Sequence, residues 1–195
     1  MLQKKNPMII HVDLDSVAAD FEAGFLRRLR EKHPDLPYIP LEDRTTFKLR
    51  EQYVPKFGAH FREIIKEIET EPGFFRSLPP IPGSIEAIRE IARKHLVYFC
   101  SAPLKETQHS AAEKYDWVEE QFGGIEWRKQ LILTFDKTLI RGHILIDDKP
   151  EITGAVVSPY WEQVLVDWPY NRHVTDKRRI NYDWSNWKEV LPELL

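Results

Sequence analysis

Met8–Val17, MIIHVDLDSV, joins a short apolar run to two acids, and its reading decides the fold. Met8, Ile9, Ile10 and Val12 suit a strand covered on both faces of a parallel sheet. The run then stops on carboxylates. In extended chain, residues i and i+2 point the same way, so Asp13 and Asp15 converge where the strand opens into a loop. Ligand sites of open α/β sheets gather at the carboxyl ends of their strands. Taken alone, the two acids are equally well explained as turn formers or as caps of the next helix.

Three further stretches change that balance. Ser101 follows the run Val97–Cys100, Lys137 follows Leu131–Leu133, and the paired Asp147 and Asp148 follow Ile144–Ile146. Acids, hydroxyl, lysine and acids, in that order and each at a strand end, match the haloacid dehalogenase superfamily of phosphotransferases. Within it the chain resembles the 5'(3')-deoxyribonucleotidases over almost its whole length. The resemblance is carried by VDLDSVAADFEAGFLR (Val12–Arg27), REQY (Arg50–Tyr53), GFF (Gly73–Phe75) and PIPG (Pro80–Gly83). It continues in EKYDWVE (Glu113–Glu119), ILTFDKT (Ile132–Thr138), LIDDKPEITGA (Leu145–Ala155) and WSNWKEVL (Trp184–Leu191).

A chain of 195 residues buries about two-thirds of its unfolded surface, enough for one core and a small appended lobe. With 28 Lys and Arg against 31 Asp and Glu, the formal net charge is -3, so no global basic field would draw a nucleic-acid polymer. The single Cys100 sits in an apolar run and reads as a small buried hydrophobe, which points to a reduced compartment. MLQKKNPM lacks a signal-peptide core, Lys4 and Lys5 stand too close to the first strand for an import leader, and no run approaches the length of a membrane span. A cytoplasmic protein without membrane attachment is expected.

After the acid loop, Val17, Phe21, Phe25 and Leu29 recur at helical spacing, predicting a long helix that ends near His33 before Pro34. Further helices are expected over residues 41–53 and 57–68, the latter with an apolar stripe of Phe61, Ile64, Ile65 and Ile68. No strand pattern falls between Val17 and Leu78. The helices therefore read as a separate lobe: an α/β core of residues 1–17 and 78–195, with a helical cap, 18–77, inserted after the first strand. The resemblance implies the same insertion. LPPIPG, Leu78–Gly83, is the return linker, and Ser84 is a candidate helix cap. Strands at 96–100, 131–133, 144–146 and 164–166 alternate with helices at 85–92 and 115–122, predicting a Rossmann-like, doubly wound, mostly parallel sheet. Trp161, Trp168, Trp184 and Trp187 read as apolar packing of the tail, and Lys177, Arg178 and Arg179 as a solvated turn.

A phosphate monoester is an anion that repels nucleophiles, so its hydrolysis needs charge neutralisation, an aligned oxygen and a proton for the leaving alkoxide. The resemblance assigns these roles. Asp13 becomes the nucleophile that forms an aspartyl-phosphate, Asp15 the acid and then base, and Lys137 the cation between nucleophile and phosphate. Ser101 and Lys114 face the phosphate. Hard oxygen ligands favour Mg²⁺, with Asp13, the Asp15 main-chain carbonyl and Asp148 as ligands and Asp147 behind them. Phe21 and the segment Phe47, Lys48, Leu49 would border the nucleoside, although Phe21 and Phe47 are equally explained by packing within the cap. Bland readings also exist for Lys114, a surface helix charge, and for Ser101 and Lys137; adjacent Asp147 and Asp148 are harder to dismiss, because like charges destabilise one another unless a cation is shared.

Four positions depart from the family pattern: Ser16 for the glycine of DxDG, Ala102 for a serine, Phe135 for an arginine and Lys48 for an aromatic. The expected activity is Mg²⁺-dependent hydrolysis of deoxyribonucleoside monophosphates. Its rivals are a same-fold phosphatase for another small ester, such as a sugar phosphate, and a non-catalytic Mg²⁺ and phosphate binder, for which Ser16 and Ala102 are the best support. A homodimer is a family expectation to which no sequence feature assigns an interface.

Overall fold

The computed structural model describes residues 6–195, so Lys4 and Lys5 lie outside the described residues. Six strands form one sheet: β1 (Ile9–Val12), β2 (Leu96–Ser101), β3 (Leu131–Leu133), β4 (Ile144–Asp147), β5 (Glu162–Val166) and β6 (Arg179–Ile180). Their order is β3-β2-β1-β4-β5-β6, and each neighbouring pair is parallel. This is the doubly wound sheet the alternation predicts, extended by a two-residue edge strand too short to leave a pattern. The order reverses between β1 and β4, where the chain diverges to either side and leaves a crevice at the strand ends. Register places His11 against Tyr98 and Leu145, so the end of β1 lies between the ends of β2 and β4.

Between β1 and β2 run α1 (Phe21–Lys32), α2 (Leu49–Phe57), α3 (Phe61–Glu69) and α4 (Ser84–Ala92); α5 (His109–Phe122), α6 (Ile125–Arg128) and α7 (Trp187–Val190) follow. Helix α1 begins at Phe21 rather than at Val17. Residues 16–19 instead close a tight turn in which the amides of Val17, Ala18 and Ala19 all point at the Leu14 carbonyl. Asp20 then caps α1 by accepting from the Ala23 amide at 2.9 Å. The helix expected over 41–53 is broken. Leu41–Asp43 form one 3-10 turn, then the buried Arg44 needs acceptors: its guanidinium reaches Glu22, Gln52 and the carbonyls of Thr46 and Phe47, which bends residues 44–48 into a loop. Phe57 ends α2 instead of starting α3, because Gly58 at φ 107° stops the helix. The stripe on α3 holds: Phe61, Ile65 and Ile68 are buried, and Ile64 packs beside them.

The chain leaves and re-enters the sheet region side by side. Ala19 bridges Pro80, the Asp20 amide bonds the Pro79 carbonyl at 2.7 Å, and the Ile81 amide bonds the Ala18 carbonyl at 2.8 Å. Ser84 does not cap α4. Its hydroxyl donates to the carbonyls of Ala18 and Ile81, tying the return linker to the outgoing one, while Gly83, at φ 75°, holds the cap position. A Cβ on Gly83 would lie 2.5 Å from the Asp183 carbonyl oxygen, a backbone atom that cannot swing aside. Gly83→Ala is therefore expected to lower the unfolding free energy by about 2 kcal/mol, read from urea denaturation.

Candidate active site

Every strand end of the crevice contributes a functional group. β1 presents Asp13 directly and Asp15 two residues on; β2 ends at Ser101; β4 ends at Asp147, with Asp148 next. Lys137 opens a 3-10 turn, Lys137–Leu139, between β3 and β4. Together they floor a cavity of about 380 Å³. Phe21, Phe47, Lys48 and Leu49 line its wall, so the residues expected at the floor and at the wall share one space.

The two lysines are spoken for. Lys137 Nζ lies 2.7 Å from Asp13 Oδ2 and 2.6 Å from Asp147 Oδ2. Burial opposes its charge, but Asp13 and Asp147 outweigh burial and hold the ammonium above the usual lysine range. Lys114 is fully buried on α5 rather than at the surface; its Nζ donates to Asp15 Oδ2 at 2.6 Å and to Ser101 Oγ at 3.1 Å, and lies over the Phe75 ring. It is not among the cavity-lining residues and reaches the site through Asp15 and Ser101. Burial pushes the Asp15 carboxyl above its ordinary range; Lys114 pulls the other way, and the Asp13 charge reinforces the rise.

Carboxylate oxygens of Asp13, Asp147 and Asp148 lie within 4.8 Å of one another. Lys137 is paired with Asp13 and Asp147, whereas the Asp148 carboxylate accepts a hydrogen bond from Tyr170. Burial first, then the charges of Asp147 and Asp13, drive Asp148 well above the ordinary range. Asp147 is raised as well, by burial, although Lys137 and the Lys149 amide soften it. Such a surplus of hard oxygen ligands fits a hard divalent cation, which would relieve the repulsion that otherwise favours protonation.

The tail supplies contacts that sequence reading assigns to packing alone. Trp168 and Trp184 are buried, but their indole N–H groups also donate to the carbonyls of Ser16 at 2.7 Å and Val17 at 3.0 Å, pinning the acid loop. Trp161 does the same for the Lys137 carbonyl at 3.1 Å. Lys177, Arg178 and Arg179 are no solvated turn: they bond Pro150 and Gln163, Glu162 and Glu193, and Asp167 and Asn171. Sequence reading also misses Tyr170, whose hydroxyl donates to Asp148 Oδ2 at 2.5 Å, and the pair Arg50 and Glu69, 2.8 Å apart in the cavity wall. REQY points at Arg50, but no local pattern marks Glu69 as its partner across two helices.

The departure at Ser16 has a conformational meaning. Its φ is 59°, the left-handed region where glycine is free and L side chains are strained, and its amide bonds the Ala19 carbonyl at 2.7 Å.

The parallel sheet and the acid, hydroxyl, lysine and acid constellation at its strand ends define a hydrolase of the haloacid dehalogenase superfamily. A Bacillus subtilis haloacid dehalogenase-type hydrolase, solved bound to magnesium, shares the fold with TM-score 0.58 at 12% identity, covering 96% of this chain and 99% of that one. The family model described as 5' nucleotidase, deoxy (pyrimidine), cytosolic type C protein matches residues 7–194. A Bordetella bronchiseptica protein assigned as a 5'(3')-deoxyribonucleotidase is 46% identical over 185 residues, covering 94% of this chain and 95% of that protein. The human cytosolic-type 5'(3')-deoxyribonucleotidase is 41% identical over 185 residues, covering 92% and 91%. The chain belongs to the 5'(3')-deoxyribonucleotidase family, phosphoric monoester hydrolases of that superfamily. Ser16→Gly is expected to raise unfolding free energy by about 1 kcal/mol, checked by urea denaturation.

Proposed function

We propose that the protein is a Mg²⁺-dependent phosphatase of deoxyribonucleoside monophosphates that works through an aspartyl-phosphate on Asp13. The observation that carries this reading is the placement of the two acids: Asp13 directly follows β1 with its Oδ2 2.7 Å from the Lys137 ammonium, and Asp15, two residues on, has its proton affinity raised by burial even though Lys114 lies 2.6 Å away. Asp13 is placed to act as the nucleophile and Asp15 as the proton donor. An Asp13 oxygen attacks phosphorus, the ester P–O bond breaks, and Asp15 gives its proton to the departing deoxynucleoside oxygen. Asp15 then takes a proton from water as that water attacks the phosphorus of the acyl phosphate, which restores the Asp13 carboxylate and releases inorganic phosphate. Lys137 offsets the charge gathered between nucleophile and phosphoryl group, and Ser101 holds a phosphoryl oxygen. Lys114 keeps Asp15 and the Ser101 hydroxyl in place through its bonds at 2.6 and 3.1 Å.

Asp13, the Asp15 main-chain carbonyl and Asp148 would hold Mg²⁺, with Asp147 behind them. When bound, the ion supplies positive charge that lets a carboxylate and a phosphate approach each other. Residues 18–77 act as the cap, whose Phe21, Phe47, Lys48 and Leu49 exclude water and meet the nucleoside. A cytoplasmic location follows the human cytosolic-type relative, while a human relative of mitochondrial type is 42% identical. Asp13→Asn is expected to lower kcat on dUMP or dTMP by more than about 10³-fold at saturating Mg²⁺, and full turnover by this variant would remove Asp13 as the nucleophile.

The wall carries its own titration. Burial raises Glu69 to about 7, although Arg50 beside it pulls the other way. Above that pH the pair is neutral overall; below it Glu69 is protonated and the Arg50 charge stands uncompensated toward an anionic substrate. Glu69→Gln should therefore lower KM at pH 8 by about threefold and leave it nearly unchanged at pH 6, measured with one nucleotide at fixed Mg²⁺.

A further inference from the structure

We infer that Tyr170 is a positioning residue that holds the Asp148 carboxylate for its divalent cation, with its neighbour Asn171 fixing the backbone beneath it. This rests on the metal reading given above. Asp148 lies one residue beyond the end of β4. Ladder bonds that fix the strand stop before it, and the like charge of Asp147 is adjacent. Two consecutive residues of the 3-10 turn Pro169–Asn171, just after β5, take hold of it from the other side. Tyr170 Oη donates to Asp148 Oδ2 at 2.5 Å, and Asn171 Nδ2 donates to the Asp148 carbonyl at 2.8 Å. The same Asn171 nitrogen donates to the Val166 carbonyl at 2.8 Å, so the turn is locked to the end of β5 as well. Side chain and main chain of the acid are thus both fixed.

The clamp is itself rigid. Asn171 is 0% exposed, and the Trp168 amide donates to its Oδ1 at 3.2 Å. The Tyr170 ring lies parallel to the Trp168 indole, 5.8 Å between centroids and 8° between planes. The Phe47 ring stands at 74° to the Tyr170 ring with 5.9 Å between centroids, and the Arg44 guanidinium lies 5.7 Å from the Tyr170 centroid, both from the helical segment. Packing alone asks only for an aromatic ring here: phenylalanine would fill the same space against Trp168, Phe47 and Arg44. The hydroxyl is buried at a cost that an acceptor must repay, and among the described residues the side-chain hydrogen bond to the Asp148 carboxylate comes from Tyr170. It commits one carboxylate oxygen and leaves the other for a cation. Hydrogen bonds of this kind, made to a ligand rather than to the metal, set ligand orientation and with it affinity. Because Phe47 and Arg44 rest on the same ring, the wall facing the nucleoside and the acid facing the cation share one support.

Tyr170→Phe separates these roles, since it keeps the ring and removes one oxygen. Calorimetric titration of Mg²⁺ into substrate-free wild type and variant is the primary measurement, with melting temperatures in EDTA beside it. The expected result is a Mg²⁺ Kd about tenfold weaker in the variant, which still melts cooperatively in EDTA because the ring packing is kept. Turnover of dUMP should then require about tenfold more Mg²⁺ for half-saturation, while KM for the nucleotide at saturating Mg²⁺ stays the same. A variant Kd within twofold of wild type, or tighter, overturns the role of Tyr170 and leaves the metal reading standing. Wild type that binds no Mg²⁺ overturns both.

Discussion

Acids that repel one another, gathered at one end of one sheet, are the constraint to which the rest of the molecule answers. Asp13, Asp147 and Asp148 share a buried space less than 5 Å across, and Asp15 lies two residues away. Left alone, such groups lose charge rather than remain ionised in low dielectric. Lys137 answers for Asp13 and Asp147, Lys114 for Asp15, and Tyr170 for Asp148. The compensation is incomplete, and a cluster left with surplus hard oxygen ligands fits a hard divalent cation.

Holding repelling groups together requires stiff loops, and the tryptophans provide them. Trp117, Trp161, Trp168 and Trp184 each bury an indole, and each donates its N–H to a main-chain carbonyl: those of Leu78, Lys137, Ser16 and Val17. Three of these carbonyls belong to the loops that carry the acids and Lys137; the fourth belongs to the return linker. An indole combines large apolar burial with a single directed donor, so one residue anchors a loop to the core and satisfies a buried carbonyl. The strained φ of 59° at Ser16 is tolerated in such a setting, because its carbonyl is fixed by Trp168 and its amide by Ala19.

Legibility in the sequence followed the range of the interaction. The apolar runs of β1 to β5 and the stripe on α3 are local patterns, and they were readable with small shifts at the ends. Breaks in the helical segment were not, because the loop at residues 44–48 exists for Arg44, whose partner Glu22 lies 22 residues away. Val17 fits the helical spacing of Phe21, Phe25 and Leu29, yet it sits in a turn whose carbonyl is held from residue 184. Asp13, Asp15, Ser101, Lys137, Asp147 and Asp148 could be read as a set because each ends a recognisable strand or follows one. Tyr170 could not: WPYN looks like a turn with two aromatics, and only the pairing of β4 with β5 brings it under Asp148.

Floor and wall are built by different parts of the chain, and this division bears on selectivity. The floor comes from strand ends whose register is fixed by the sheet, so its acids and Lys137 cannot shift independently. Much of the wall comes from the helical segment, where Phe47 and Lys48 are exposed and Arg50 and Glu69 meet across two helices. Phe135 adds an exposed ring from the β3 side, with the Lys105 ammonium 4.8 Å above it. Lys48 and Arg50 line the cavity as cations, with Glu51 bonded to Lys48 and Glu69 to Arg50. Beside these ion pairs the wall carries the rings of Phe21, Phe47, Phe135 and Tyr170, so charged and aromatic surface face the same space. Substitutions on this wall therefore leave the floor in place, because its register is fixed by the sheet and not by the helical segment.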